Sequence, residues 1–139
     1  MFLTDQDYTT VIGQKALDTI TQLDASIRHQ AEQTAISEAK GYLWPRYDVD
    51  AIFSAEGTER NMRLVTTVVD IALYHLSASL PQRMGTDVRQ ERYERAVKWL
   101  EAVSQGAIVP DDLPLMTDAD GSTNCGINIK SNPRYNNEW

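Results

Sequence analysis

The stretch LVTTVVDIALYHL, residues 64–76, is the most apolar part of the chain and decides the fold. Its apolar residues recur at spacings of three and four, which is the pattern of one face of an α-helix. We expect a helix from about Thr58 to Leu80, ended by Pro81, that forms the centre of the core. The residues expected to point inward are Leu64 or Val65, together with Val68, Val69, Ala72, Leu73 and Leu76.

The segments on either side show the same periodicity. A helix should begin after Asp24 as its N-cap and stop at Trp44, because Pro45 disfavours helical geometry in the residue before it. Another should begin at Thr86 and close at Gly106. Both have apolar residues on one face, so both are expected to pack against the central helix.

The remaining segments are shorter. A first helix is expected from the N-cap Thr4 to Gly13, a weaker one over 14–23, and an irregular loop over 48–57. The connection at 81–85, PQRMG, is short, which favours antiparallel neighbours. The sequence therefore predicts an all-α fold, a small up-and-down bundle of about four helices.

Composition divides the chain at Gly106. We expect a helical bundle domain at 1–106 and an extended C-terminal tail or docking arm at 107–139, which holds three of the five prolines and no helical period. Ile108, Leu113 and Leu115 are the tail residues expected to be able to pack back on the bundle.

Charge and cysteine content exclude several classes of protein. The net charge of −7 argues against tight wrapping of nucleic acid, which depends on Lys and Arg neutralising phosphates. Cys125 is the single cysteine, so no intrachain disulfide and no thiolate zinc site is expected. The sequence shows no signal peptide and no membrane span, so we expect no membrane association.

We expect no catalytic site, no metal and no cofactor. His29 and His75 each stand alone on a predicted helix, without HExxH or paired spacing. Residues 118–124, DADGSTN, do not fit a calcium loop, because Thr123 stands where the loop needs glycine and Ile129 where it needs glutamate; the segment is typical of an Asp-Gly turn. The basic residues of the last helix alternate with Glu91, Glu94 and Glu101, which favours a solvated face over a nucleic-acid-binding helix.

Aromatic and basic residues suggest interaction surfaces instead. Trp44, Arg46 and Tyr47 lie at a helix end, and both a core and an interface role are open for the two aromatics. We also predict an ion pair between Arg46 and Asp70, because an unpaired carboxylate in the most apolar helix would be costly.

In the tail, Ile127 and Ile129 alternate with polar residues in GINIK, which predicts a short strand able to add to a neighbouring sheet. Beyond Pro133, the residue types that often anchor interfaces follow. The predicted tail anchors are Arg134, Tyr135 and Trp139.

Three motifs together resemble the head-tail connector, or adaptor, proteins of tailed bacteriophages, including the related protein of Mu-like phages. They are TAISEAKGYLWPRYDVD, then VVDIALYHL, then RYERAVKWLEAVSQG followed by a Leu-Pro element. The resemblance covers about residues 3–114.

The resemblance implies an α-helical, non-catalytic subunit of a homo-oligomeric ring, dodecameric in the family. Such a ring docks on the portal protein above and on a downstream connector or tail protein below, at the head-tail junction of the virion, after assembly in the host cytoplasm. DNA passes through its channel without specific binding. Two alternatives are a DNA-binding regulator, which mixed charge on the last helix disfavours, and a small helical binding module such as a phage-encoded inhibitor of host proteins.

Overall fold

The computed structural model describes residues 1–22, 24–44, 46–78 and 86–123. Within these ranges the secondary structure is helical, which confirms the predicted all-α class. The helices are α1 (Asp5–Thr9), α2 (Gln14–Thr21), α3 (Ala25–Leu43), α4 (Val49–Ser54), α5 (Met62–Ala78) and α6 (Thr86–Ser104), with a 3-10 turn at Gly57–Glu59 between α4 and α5.

The core is built around α5, as the sequence predicts. Of its 17 residues, 11 are buried, and α3 and α6 make its most extensive contacts. Arg92 contacts Asp70 and Trp99 lies against Arg63, so α6 runs antiparallel to α5. The short helices α1 and α2 also pack against α5.

Helix starts follow their capping residues. Asp24 is the N-cap of α3, as predicted, and its side chain accepts a hydrogen bond from the backbone N of Ser26 at 2.8 Å. Thr4 precedes α1, as predicted, and its backbone N donates to Asp7 Oδ2 at 2.7 Å. These local polar contacts replace hydrogen bonds that the first turn of a helix lacks.

Three predicted boundaries are corrected. The first helix ends at Thr9 and not at Gly13, which is the N-cap of α2 instead. The expected loop at 48–57 contains α4, whose N-cap Asp48 accepts from the backbone N of Ala51 at 3.0 Å. The central helix starts at Met62 and not near Thr58, because Gly57–Glu59 form a separate 3-10 turn and Arg60 after it is extended, with a ψ of 136°.

A buried ion pair attaches the N-terminal segment to the start of α5. Arg60 Nη1 donates to Asp7 Oδ2 at 2.7 Å and to the carbonyl of Phe2 at 2.6 Å, and both charged side chains are less than one tenth exposed. Burial alone would raise the pKa of Asp7, but hydrogen bonds from Arg60 and Thr4 outweigh it and lower that pKa. The pair therefore fixes α1 on the bundle with a charged hydrogen bond.

A second polar cluster joins the three long helices. Glu38 of α3 accepts a hydrogen bond from the Tyr93 hydroxyl of α6 at 2.8 Å and lies 3.1 Å from His75 Nε2 of α5. The ring of Tyr74 stacks on that of Tyr93, with centroids 4.1 Å apart. Burial raises the pKa of Tyr93 to about 12, and the hydrogen bond to Glu38 and the negative charge of Glu38 act in the same direction.

This shift predicts a loss of stability in alkali. An unfolded tyrosine ionises near pH 10, so between about pH 10 and 12 the folded chain keeps a proton on Tyr93 that the unfolded chain releases. The free energy of unfolding should fall across that window, and Tyr93→Phe should make the fall smaller. Urea denaturation of the native chain and of Tyr93→Phe, at pH 9 and at pH 11, measures this loss of stability.

Tyr8 and Tyr47, whose pKa burial also raises, are present in both proteins, so the difference isolates Tyr93. Equal losses of stability in the two proteins would show that the Glu38–Tyr93 contact does not hold the proton.

Candidate functional site

One end of the bundle brings together segments that are far apart in the sequence. The guanidinium of Arg46, just beyond α3, lies beside Gly106, just beyond α6. Asn61, just before α5, accepts from the backbone N of Leu64 and donates to Asp112. We call this the arm end of the bundle, because the chain leaves it as the arm, residues 107–123.

The arm is attached to the arm end by main-chain hydrogen bonds. The backbone N of Asp48 donates to the carbonyl of Pro114 at 2.9 Å, and that of Met116 donates to the carbonyl of Arg46 at 3.0 Å. Tyr47 and Leu115 thus form an isolated antiparallel bridge. Leu113 is buried and Leu115 packs against the core, whereas Ile108 is 42% exposed.

The structure distinguishes the two aromatics for which the sequence left core and interface roles open. Trp44 is 58% exposed, and Tyr47 is fully buried in the core. Tyr47 is therefore corrected from a predicted interface residue to a core residue. Arg46 is half-buried, with its guanidinium 5.9 Å from the centroid of the Tyr47 ring. Its Nε is buried without a hydrogen-bond partner.

The predicted ion pair between Arg46 and Asp70 is wrong in its partner. Arg92 Nε donates to Asp70 Oδ1 at 2.7 Å, while Arg46 lies at the arm end beside Gly106. The physical reason for the prediction holds, since Asp70 is only about one tenth exposed and does have a cation. The antiparallel register of α5 and α6 supplies that cation from α6.

Several large apolar side chains are exposed near the chain segments that meet at the arm end. Met62 begins α5 and is 60% exposed, and Val109 follows α6 and is 56% exposed. With Trp44 and Ile108 they form what we call the arm-end patch. Met62 and Val109 were not predicted from the sequence, because no helical pattern marks a residue that is exposed where a helix begins or ends. Large exposed apolar side chains of this kind are typical of protein interfaces.

The predicted tail residues cannot be compared with the structure, whereas metal sites and membrane spans can be searched for in the described ranges. Ile127, Ile129, Arg134, Tyr135 and Trp139 lie outside the described residues. Across the described ranges, no group of three or more His, Cys, Asp or Glu side chains is placed to hold a metal ion. No helix in that part of the chain has both the length and the apolarity of a membrane span.

A protein-family model matches most of the chain. A family model described as bacteriophage Mu, Gp36 matches residues 2–124. Neither a curated protein nor a solved structure shows significant similarity to the chain. The match includes the arm and all the helices of the described part of the chain.

Gly106 is expected to control how the arm leaves the bundle. Its φ of 77° is costly for any residue with a Cβ, and an added methyl would meet the guanidinium of Arg46. Gly106→Ala should lower the free energy of unfolding by about 1–2 kcal/mol and speed hydrogen exchange at the Met116 amide. Urea denaturation and exchange followed by NMR measure the two effects.

Gly41→Ala is the matched control. Gly41 lies inside α3 with open space where a Cβ would be, so this change should raise stability by about 0.5–1 kcal/mol. If both variants shifted stability in the same direction, the positive φ of Gly106 would not be what sets the path of the arm.

Proposed function

Because the chain belongs to the bacteriophage Mu Gp36 family, we propose that this phage protein is a structural virion protein, a head-tail connector subunit. In this proposal copies of the chain form a ring below the portal protein and join the DNA-filled head to the tail. The family match supports a phage protein, and the three sequence motifs support the connector role in particular.

The observation that carries the proposal is the arm-end patch. Trp44 is a large apolar side chain with more than half of its surface exposed, at the same end from which the arm projects. An exposed tryptophan beside a main-chain-anchored arm is suited to contact with a neighbouring protein, because Trp is among the residues that contribute most to binding energy. Docking on the portal needs an exposed surface of this kind, in addition to the two different subunit surfaces that close a ring.

Charge supports the same role. The chain has a net charge of −7, and a ring of such subunits would surround its channel with negative potential. Like-charge repulsion would then let DNA pass without being captured. In this proposal DNA is cargo that passes through the ring, and no cofactor or catalytic step is involved.

The proposed partners follow from the ring. They are further copies of this chain, dodecameric as the family resemblance implies, the portal protein above, and a downstream connector or tail protein below. The proposed location is the head-tail junction of the virion, reached after assembly in the host cytoplasm.

The test is ring formation with the portal protein of the same phage. We expect the native chain alone to be a monomer or a loose oligomer, and to form rings on the portal that electron microscopy resolves. Trp44→Ser should reduce the fraction of decorated portals about tenfold or more, as expected when a central aromatic anchor of an interface is removed. Light scattering and negative-stain images measure both effects.

Val88→Ser is the matched control, since Val88 is also 58% exposed but lies at the start of α6, the opposite end of the bundle. Equal loss in the two variants would reject the arm-end patch as the docking surface. If the chain did not bind the portal and instead formed a one-to-one complex with a host protein, the alternative function of a small binding module would be favoured.

A further inference from the structure

A groove of about 100 Å³ between α5 and α6 is lined by arginine on this acidic protein. Arg63 and Thr66 come from α5, and Arg92 and Arg95 come from α6. Asp70 is the one carboxylate among the lining residues, against three guanidinium groups. The groove is thus a positive site on a chain whose overall charge is negative.

The positive charge of the groove is only partly neutralised. Arg92 contacts Asp70, and Arg95 contacts Glu91 on the exposed face of the same helix. The guanidinium of Arg63 lies 5.5 Å from the centroid of the Trp99 ring and makes no ion pair within the described residues. The groove therefore favours an additional anion.

The donors in the groove are guanidinium N–H groups. The hydroxyl of Thr66 donates to the carbonyl of Met62 at 3.0 Å, and that of Thr67 donates to the carbonyl of Arg63 at 2.8 Å, so both are engaged within α5. Arg92 uses Nε for Asp70, which leaves its Nη groups. Guanidinium groups in this arrangement match the two oxygens of a carboxylate.

The arm carries a suitable partner at its far end. Thr117 and Thr123 form an antiparallel bridge, and the backbone N of Asp118 donates to the carbonyl of Ser122 at 2.9 Å. The turn closes through Gly121, whose φ is 76°. We call residues 117–123 the acidic hairpin. Its Asp118 and Asp120 are exposed, and neither forms an ion pair in the described part of the chain.

We propose that the acidic hairpin of one subunit docks into the arginine groove of a second copy of the chain, with Asp118 and Asp120 facing Arg63 and Arg95. The hairpin and the groove are two different surfaces, so the contact is head-to-tail and repeats from copy to copy. This inference rests on the proposed function, because it names the subunit contact of the proposed ring.

Charge reversal tests the contact. Sedimentation velocity at low salt should show weak self-association of the native chain that declines as salt is added. Arg63→Glu with Arg95→Glu, or Asp118→Arg with Asp120→Arg, should weaken it about tenfold or more, because like charges then face each other. Combining all four substitutions in one chain should restore it.

Lys98→Glu and Asp111→Arg are the matched controls. Both residues are exposed, Lys98 on α6 outside the groove and Asp111 in the arm outside the hairpin. They should leave self-association unchanged. Circular dichroism on every variant checks that the helices are intact. Recovery of self-association in the fourfold variant would also show that this variant is folded.

Three results would overturn the inference. The first is that the native chain does not self-associate at concentrations up to about 1 mM, the weak limit of specific contacts. The second is that the control and test variants have equal effects. The third is that self-association does not recover in the fourfold variant. If the groove variant instead lost binding to a short single-stranded DNA while its self-association was unchanged, the groove would be a phosphate site and not a subunit contact.

The outcome is separable from that of the connector role. Portal-bound rings that form from all charge variants would retain the connector function and reject this contact. Charge-dependent self-association without any ring on the portal would retain the contact and reject the connector function.

Discussion

The burial of α5 on nearly all sides is the constraint on which the rest of the structure depends. Fully burying a leucine such as Leu64, Leu73 or Leu76 contributes about 1.5–3 kcal/mol, and all three are at most 1% exposed. A helix this apolar must be covered, so α3 and α6 lie along it and the short N-terminal helices cover its side. The same burial requires Asp70 to have a cation, which α6 provides through Arg92.

The features that the sequence predicted well are local ones. The periodicity of the long helices and the cap at Asp24 depend on residues within a few positions, so they can be read without knowing the fold. The partner of Asp70 could not be predicted this way, because it depends on the register of α6 against α5. The Asp7–Arg60 pair joins residues 53 positions apart and carries no local signal either.

The candidate site was predicted only in part for the same reason. Trp44 and Tyr47 are three residues apart and of similar type, yet one is exposed and the other is buried. The direction of the chain after α3 decides this, and the main-chain bridge to the arm sets that direction. Met62 and Val109 join the patch only because α5 begins and α6 ends at the same end of the bundle. Residue types suggested a candidate interaction surface, and the packing of the helices decides which of those residues are exposed.

The attachment of the arm through main-chain groups has a consequence for how such a protein can diversify. Pro114 accepts its hydrogen bond through its carbonyl, which proline keeps although it lacks a backbone N–H. The hydrogen bonds of Arg46, Asp48 and Met116 likewise use main-chain atoms only. The path of the arm is thus largely independent of the identity of its outward-facing residues. Substitutions of the exposed residues between Asp118 and Thr123 should therefore leave the fold of the bundle unchanged. In the proposed subunit contact, the charge of the acidic hairpin could therefore change by drift in its exposed residues, without altering the framework that presents them.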